Sequence, residues 1–113
     1  MYRRRNTLKF KEYRAWRPTY SQYLVTGKNH YFPPDNYYKQ TSIIGLSAEA
    51  GELLGIVQKA NRKGIPVDRE KVVDELGDVL WYMCYVMDSF DISMDELTDF
   101  NKKKLDARNN PPS

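Results

Sequence analysis

The chain has 113 residues, of which 41% are hydrophobic and 29% are charged, and its formal net charge is +3. This length predicts a single domain, 1–113, with a core so modest that we expect oligomerisation to add buried surface. The only cysteine, Cys84, permits no disulfide framework within the chain, which favours a cytoplasmic protein. It lies in the apolar run 79–87, which is too short to span a bilayer, so we expect no membrane association.

The positive charge is concentrated in the first third of the chain. Residues 1–34 contain eight Lys or Arg and one acid, whereas residues 35–113 contain ten Lys or Arg and fourteen acids. The basic part predicts either contact with nucleic acid or a phosphorylated ligand, or a solvated surface that balances the acidic part. Because no apolar stretch follows MYRRRN, we expect no signal peptide. We also expect residues 1–6 and 109–113 to be flexible.

Two short helices and a loop are predicted first. A helix over 7–16, with Thr7 as its N-cap, is interrupted by Pro18, and helix can resume over 19–26. The segment 27–36, GKNHYFPPDN, is rich in Gly, Pro and Asn and therefore predicts a loop.

Three longer helices follow the loop. One runs over about 36–62 and ends before Gly64, which is followed two residues later by a proline. Asp68 is the predicted N-cap of the next helix, and Ser93 forms a capping box with Glu96 at the start of the last. With no strand predicted, we expect an all-α, four- to five-helix antiparallel bundle that is completed by oligomerisation.

Two of these helices carry apolar residues at heptad spacing, which predicts antiparallel packing across a short loop. The predicted seams are Leu46, Ala50, Leu53, Val57 and Ala60 in one helix, and Val72, Leu76, Val79, Met83, Val86 and Phe90 in the other. Beside them the chain repeats an acidic phrase, EAGELL at 49–54 and ELGDVL at 75–80. Because each acidic pair flanks its seam at equivalent positions, we expect four carboxylates to converge: Glu49, Glu52, Glu75 and Asp78.

Converging carboxylates repel one another unless cations lie between them. Of these four acids, only Glu75 has a Lys or Arg three or four residues away, which is Lys71. A divalent ion would offset the repulsion, and oxygen ligands suit Mg²⁺ or Mn²⁺. The alternative is that the acids pair with Lys or Arg elsewhere in the fold.

Several polar residues near the acids are candidates for binding phosphate groups. Two lie toward the end of the long helix and three share a face of the last helix: Lys59 and Lys63, and Asn101, Lys104 and Arg108. The alternative for both groups is a solvated cationic helix end that interacts with the helix dipole.

Other motifs narrow the choice of chemistry. Gly51 and Gly77, each between two acids, favour a close helix crossing or ligand contact, or tight packing alone. The sequence has no Gly-rich phosphate loop, which argues against a P-loop nucleotidase, and His30 has no nucleophile paired with it. Trp16 or Tyr31 could stack on a base.

Taken together, these motifs resemble those of the MazG-like, all-α nucleoside triphosphate pyrophosphohydrolases. The resemblance is carried by GLSAEAGELLGIVQKANRKG, ELGDVLWYM and NKKKLDAR, and it runs from about Lys9 to Arg108. It implies cleavage of a nucleoside triphosphate to the monophosphate and pyrophosphate, with Mg²⁺ as the usual ion, for nucleotide-pool control or house-cleaning. It also implies a homodimer or homotetramer with metal sites near the subunit interfaces.

The resemblance assigns roles to the residues already singled out. It implies that Glu49, Glu52, Glu75 and Asp78 are catalytic residues and metal ligands, and that substrate is bound by Lys59, Lys63, Asn101, Lys104 and Arg108. Many relatives carry a further Glu where this chain has Ala48, which leaves the number of metal ions open. Phosphoribosyl-ATP pyrophosphatases and dimeric dUTPases are related alternatives. An alternative of another class is a non-catalytic helical module that binds nucleic acid through Arg3, Arg4 and Arg5.

Overall fold

The computed structural model describes residues 7–17 and 34–110. Within these ranges it contains four helices, α1 (Phe10–Trp16), α2 (Pro34–Lys63), α3 (Arg69–Ser89) and α4 (Met94–Asn109). No strand occurs in the described ranges, and the apolar run 79–87 lies inside α3, so the all-α prediction is confirmed. None of these four helices has both the length and the apolar character needed to cross a membrane.

Side-chain caps fix the starts of α3 and α4. The Asp68 carboxylate accepts a hydrogen bond from the Glu70 amide at 3.0 Å, and the Ser93 hydroxyl accepts one from the Glu96 amide at 3.1 Å. Each bond satisfies an amide that has no partner within its helix. Both N-caps are the residues that the sequence predicts.

Two helix starts differ from the sequence prediction. The N-cap of α1 is Lys9 rather than Thr7, and the Lys9 amide donates to the Glu12 carboxylate at 3.2 Å. Helix α2 begins at Pro34, inside the predicted loop, because a proline in the first turn of a helix forfeits no helical hydrogen bond. The remaining predictions on the amino-terminal third lie outside the described residues: the basic segment 1–6, the helix over 19–26, and the loop residues 27–33 with His30 and Tyr31.

Left-handed residues end α2 and α3. Gly64 follows α2 with φ 65°, and the Ile65 amide bonds the Ala60 carbonyl at 3.0 Å. Asp91 plays the same part after α3 with φ 54°, and the Ile92 amide bonds the Met87 carbonyl at 2.8 Å. These turns close both helices with the backbone pattern that glycine favours.

Helices α2 and α3 form the main packed pair of the described chain. Most predicted seam residues are half-buried or buried, among them Leu53 and Ala60 on α2 and Val72 and Val79 on α3. The predicted seam residues Val57 and Leu76 are 41% and 50% exposed. By contrast, Glu49 and Glu75 are half-buried between the helices. Two of the four acids are thus less exposed than the seam residues that follow Glu75 and precede the end of α2, namely Leu76 and Val57.

Helix α1 is joined to the end of α3 by an ionic contact. Arg14 Nη2 donates to Asp88 Oδ1 at 2.8 Å, and the Arg17 guanidinium pairs with the other oxygen of the same carboxylate. The Arg17 side chain is only 1% exposed, and its guanidinium lies over the Tyr85 ring at 4.4 Å. Although burial lowers the pKa of Arg17, its bonds to Asp88 raise it above the ordinary value. One carboxylate thus binds Arg14 of α1 and Arg17, the residue that follows this helix.

Much apolar surface of the described chain is exposed. Four hydrophobic residues of the described ranges are buried, namely Ala60, Cys84, Tyr85 and Met87. By contrast, an outer face of the α2–α3 pair is 41–58% exposed, and it comprises Leu54, Val57, Val73 and Leu76. Helix α4 contains no buried residue, and its Phe100 is 71% exposed. The described ranges thus leave more large apolar side chains exposed than they bury.

Candidate metal centre

Three of the four predicted acids converge where α2 faces α3. One carboxylate oxygen each from Glu49, Glu75 and Asp78 lies within 4.8 Å of the other two. Glu49 and Glu75 are half-buried, whereas Asp78 is exposed and opens the group to solvent. Glu52 is exposed and lies outside this group, one turn nearer the α2–α3 loop. The repeated phrase thus supplies one acid from α2 and two from α3.

The carboxyl group of Glu75 is affected both by burial and by the neighbouring acids. Burial raises the pKa of its carboxyl, and the charges of Glu49, Asp78 and Glu52 raise it further, in that order. Its Oε2 atom is buried and has no hydrogen-bond partner in the structure. None of the ion pairs between described residues involves any of the four acids. The alternative that distant Lys or Arg neutralise them is therefore not found within the described ranges.

The arrangement fits a divalent cation. Three carboxylate oxygens within 4.8 Å of one another could bind the same ion, and hard oxygen donors suit Mg²⁺ or Mn²⁺. A bound cation would also give the buried Oε2 of Glu75 the partner that it lacks. The donor set and the unpartnered oxygen therefore point to the same ligand.

A cavity of about 380 Å³ adjoins the acids on the side of the α2–α3 loop. Glu52 and Glu75 line it on one side, and three lysines also line it: Lys59, Lys63 and Lys71. The sequence predicts the first two as phosphate ligands but treats Lys71 only as a neighbour of Glu75. Because α2 and α3 are antiparallel, Lys71, one turn before Glu75 on α3, lies at about the same height along the helix pair as the lysines near the end of α2. That register is the signal by which Lys71 could have been found.

The three candidates on α4 do not reach this cavity within one chain. Asn101 lines a separate cavity of about 560 Å³, whose walls include Leu97 and Leu105. Lys104 and Arg108 line neither cavity, and both are exposed. A role for these three residues at the acidic cluster needs a second copy of the chain or a movement of α4.

Helix α1 brings aromatic side chains toward the same cluster. Burial raises the pKa of Tyr13, nearby Cys84 raises it further, and the charge of Asp78 adds a smaller contribution. Trp16, a predicted base-stacking residue, is 66% exposed and its ring lies 6.3 Å from that of Trp81 in an edge-on arrangement. Tyr13 of α1 is therefore within the electrostatic range of Asp78.

Comparison with known proteins identifies the protein family to which the chain belongs. Residues 38–111 match the family described as the MazG nucleotide pyrophosphohydrolase domain. The chain belongs to the MazG family. The MazG match includes the four acids and the three lysines of the cavity, whereas α1 precedes it. The family predicted from the sequence is thereby confirmed.

One curated relative of this MazG domain is the gene 37 protein of Mycobacterium phage L5, which is 35% identical over 69 residues. The alignment covers 58% of this chain and 60% of the relative, so the chain matches about three fifths of that protein's length. No solved structure is significantly similar to the chain.

Proposed function

We propose that the protein is a Mg²⁺-dependent nucleoside triphosphate pyrophosphohydrolase that converts a (deoxy)nucleoside triphosphate to the monophosphate and pyrophosphate. The observation that carries the proposal is the convergence of Glu49, Glu75 and Asp78 beside a cavity lined by lysines. Membership of the MazG family supports the same reaction class. Control or cleansing of the cytoplasmic nucleotide pool is the role that fits this reaction.

The three converging acids would hold Mg²⁺, with Mn²⁺ as a substitute. When bound, the ion would draw charge from the phosphate oxygens and so favour attack at phosphorus. Glu49 and Glu75 present their oxygens from opposite helices, and Asp78 presents its own at the solvent-exposed side. The exposed position of Asp78 leaves room for phosphate oxygens to approach the same ion.

The chain's own residues would bind and activate the reactants. Lys59, Lys63 and Lys71 would contact the phosphate groups and neutralise the negative charge that develops on the departing pyrophosphate. Water attacks the α-phosphorus and the bond to the bridging oxygen of the β-phosphate breaks. Glu52 lies outside the metal group but lines the cavity, and this position suits it to accept the proton of the attacking water.

The proposal includes a homodimer or homotetramer. The outer face of Leu54, Val57, Val73 and Leu76 and the exposed apolar residues of α4 would be covered by a second copy. The same association would bring Asn101, Lys104 and Arg108 from one copy to the acidic cluster of another. In this arrangement the three α4 residues can contact substrate at the cluster of a second copy, although they do not reach the cluster of their own chain.

The direct test incubates the protein with Mg²⁺ and a panel of ribo- and deoxyribonucleoside triphosphates, including dUTP and dCTP, and separates the products by anion exchange. We expect monophosphate and pyrophosphate from at least one of them, and no turnover after chelation of the metal. Formation of nucleoside diphosphate and inorganic phosphate would contradict the proposed cleavage position. Absence of hydrolysis with both Mg²⁺ and Mn²⁺ would contradict the proposal that the protein hydrolyses these nucleoside triphosphates.

Variants of the acids separate a catalytic role from a structural one. Glu49→Gln and Asp78→Asn each remove a charge from a repulsive cluster, so the metal-free fold should be at least as stable as the original. Activity should nevertheless fall to the background rate. Asp106→Asn, which removes an exposed carboxylate of α4 that lies outside the cluster, is the control and should retain activity. Full turnover by Glu49→Gln would refute its assignment as a ligand.

A further inference from the structure

Gly45 is the one described glycine whose missing side chain leaves room for another residue. A Cβ atom at this position would lie 2.2 Å from Cε1 and 2.4 Å from Cδ1 of the Tyr82 ring. At Gly51 and Gly77, by contrast, an added Cβ would meet no atom within 4 Å. The close contact that the sequence suggests at the glycines between the acids is therefore found at Gly45 instead, where it is made with a side chain of α3.

This contact lies one helical turn from the acidic cluster on both helices. Gly45 precedes Glu49 by four residues on α2, and Tyr82 follows Asp78 by four residues on α3. Because the helices are antiparallel, both steps lead along the pair in the same direction, away from the connecting loop. The Tyr82 ring thus fills the space between α2 and α3 immediately beside the carboxylates.

The Tyr82 ring has a packed side chain next to it. It lies 6.4 Å from the ring of Tyr85, which is fully buried. Tyr85 is in turn held by the ring of Trp81 at 5.3 Å and by the guanidinium of Arg17 at 4.4 Å. Bulk added at Gly45 is therefore opposed by a connected group of large side chains, and the helix backbones have to separate.

We propose that Gly45 and Tyr82 are positioning residues that set the separation of α2 and α3 at the metal centre. The inference rests on the proposed function, since it concerns the distance between Glu49 on one helix and Glu75 and Asp78 on the other. Mg²⁺ holds its oxygen ligands at about 2.0–2.1 Å in a strict geometry, so a small separation of the helices weakens binding. Glycine at residue 45 and an aromatic ring at residue 82 together specify that geometry.

The test measures Mn²⁺ affinity by calorimetry and the unfolding midpoint in urea for a set of variants. Gly45→Ala should weaken Mn²⁺ binding by about tenfold or more, the range typical of lost support for metal ligands. Gly51→Ala adds the same methyl group to the same helix in open space and should leave the affinity unchanged. Gly45→Ala combined with Tyr82→Leu removes the obstructing ring and should restore most of the lost affinity, whereas the combination with Tyr82→Phe keeps the ring and should not.

The outcomes distinguish this inference from the proposed function. If Gly45→Ala lowers the unfolding midpoint but binds Mn²⁺ as tightly as the original chain, the contact is structural and the inference is wrong. The same conclusion follows if Tyr82→Phe restores affinity as well as Tyr82→Leu. If the original chain binds no Mn²⁺, or Glu49→Gln binds it equally well, the metal centre itself is refuted and the inference falls with it.

Discussion

The carboxylate of Asp88 offers the clearest test of how α1 is held. Asp88→Asn keeps the shape of the side chain but removes its charge, which leaves Arg17 paired with a neutral group. Removing one partner of a buried ion pair costs about 3–5 kcal/mol. The Arg17 side chain is 1% exposed, but that of Asp88 is 37% exposed, so solvent screens part of the effect. We expect the free energy of unfolding to fall by about 2–3 kcal/mol.

Urea unfolding followed by circular dichroism measures this loss, and tryptophan fluorescence reports on α1 through the contact of Trp16 with Trp81. A loss of this size should shift the midpoint by about 1–2 M urea. The matched control is Asp106→Asn, which breaks the exposed pair between Asp106 and Lys102 on α4. That change should cost less than about 0.5 kcal/mol.

Two results would refute the reasoning on Asp88. One is a loss of unfolding free energy for Asp88→Asn that is no larger than the loss for Asp106→Asn. The ion pair between Asp88 and Arg17 would then contribute no more than an exposed ion pair. The other concerns the double variant with Arg17→Met, which also removes the buried guanidinium charge. If the double variant is less stable than Asp88→Asn alone, the cost does not arise from an uncompensated charge.

Three further predictions concern single residues. In metal-free protein the free energy of unfolding should fall as pH rises from the ordinary glutamate pKa of 4.5 through the raised pKa of Glu75. The reason is that the folded chain binds the Glu75 proton more tightly than the unfolded chain does. Urea unfolding at a series of pH values measures this dependence, and Glu75→Gln should reduce its slope. Gly64→Ala, at φ 65°, should lower the free energy of unfolding by about 1 kcal/mol, whereas Asp91→Gly, at φ 54°, should raise it by about 0.5–1 kcal/mol; shifts of the same sign would contradict the backbone argument. Lys71→Ala should lower kcat/KM for a nucleoside triphosphate about tenfold, with part of the loss in kcat, because the lysine is proposed to stabilise the charge that develops on the departing pyrophosphate; an unchanged kcat/KM in steady-state assays would remove Lys71 from the phosphate site.

The features that the sequence predicts well are those set by neighbouring residues. Asp68 and Ser93 cap their helices through bonds to amides two and three residues away. The left-handed turn at Gly64 is likewise predicted by a local signal, the glycine itself at the end of α2. The repeated acidic phrase predicts that four carboxylates converge, and three of them, Glu49, Glu75 and Asp78, present oxygens within 4.8 Å of one another, whereas Glu52 lies outside that group.

The details that the sequence does not predict depend on a choice between competing surfaces. Helices α2 and α3 each carry more apolar residues than one contact can bury, and periodicity does not say which stripe faces the partner helix. Val57 and Leu76 continue an apolar heptad pattern, yet both are exposed, whereas Glu49 and Glu75 are half-buried between the helices. The contact of Gly45 with Tyr82 helps to explain this choice, since a ring fits between the helices only where a residue without a side chain faces it.

The lack of any buried residue in α4 has a consequence for hydrogen exchange. A helix without a buried residue can open with little effect on the rest of the chain, so its amides should exchange faster than those of the packed α2–α3 pair. Amides beside Cys84 and Tyr85, which are fully buried, should instead wait for global unfolding. If a second copy covers α4, protection of its amides would appear only as the protein concentration rises. Amide exchange of α4, which carries Asn101, Lys104 and Arg108, would then measure the association of the copies. Stable formation of α4 and association of the copies would be coupled in one equilibrium.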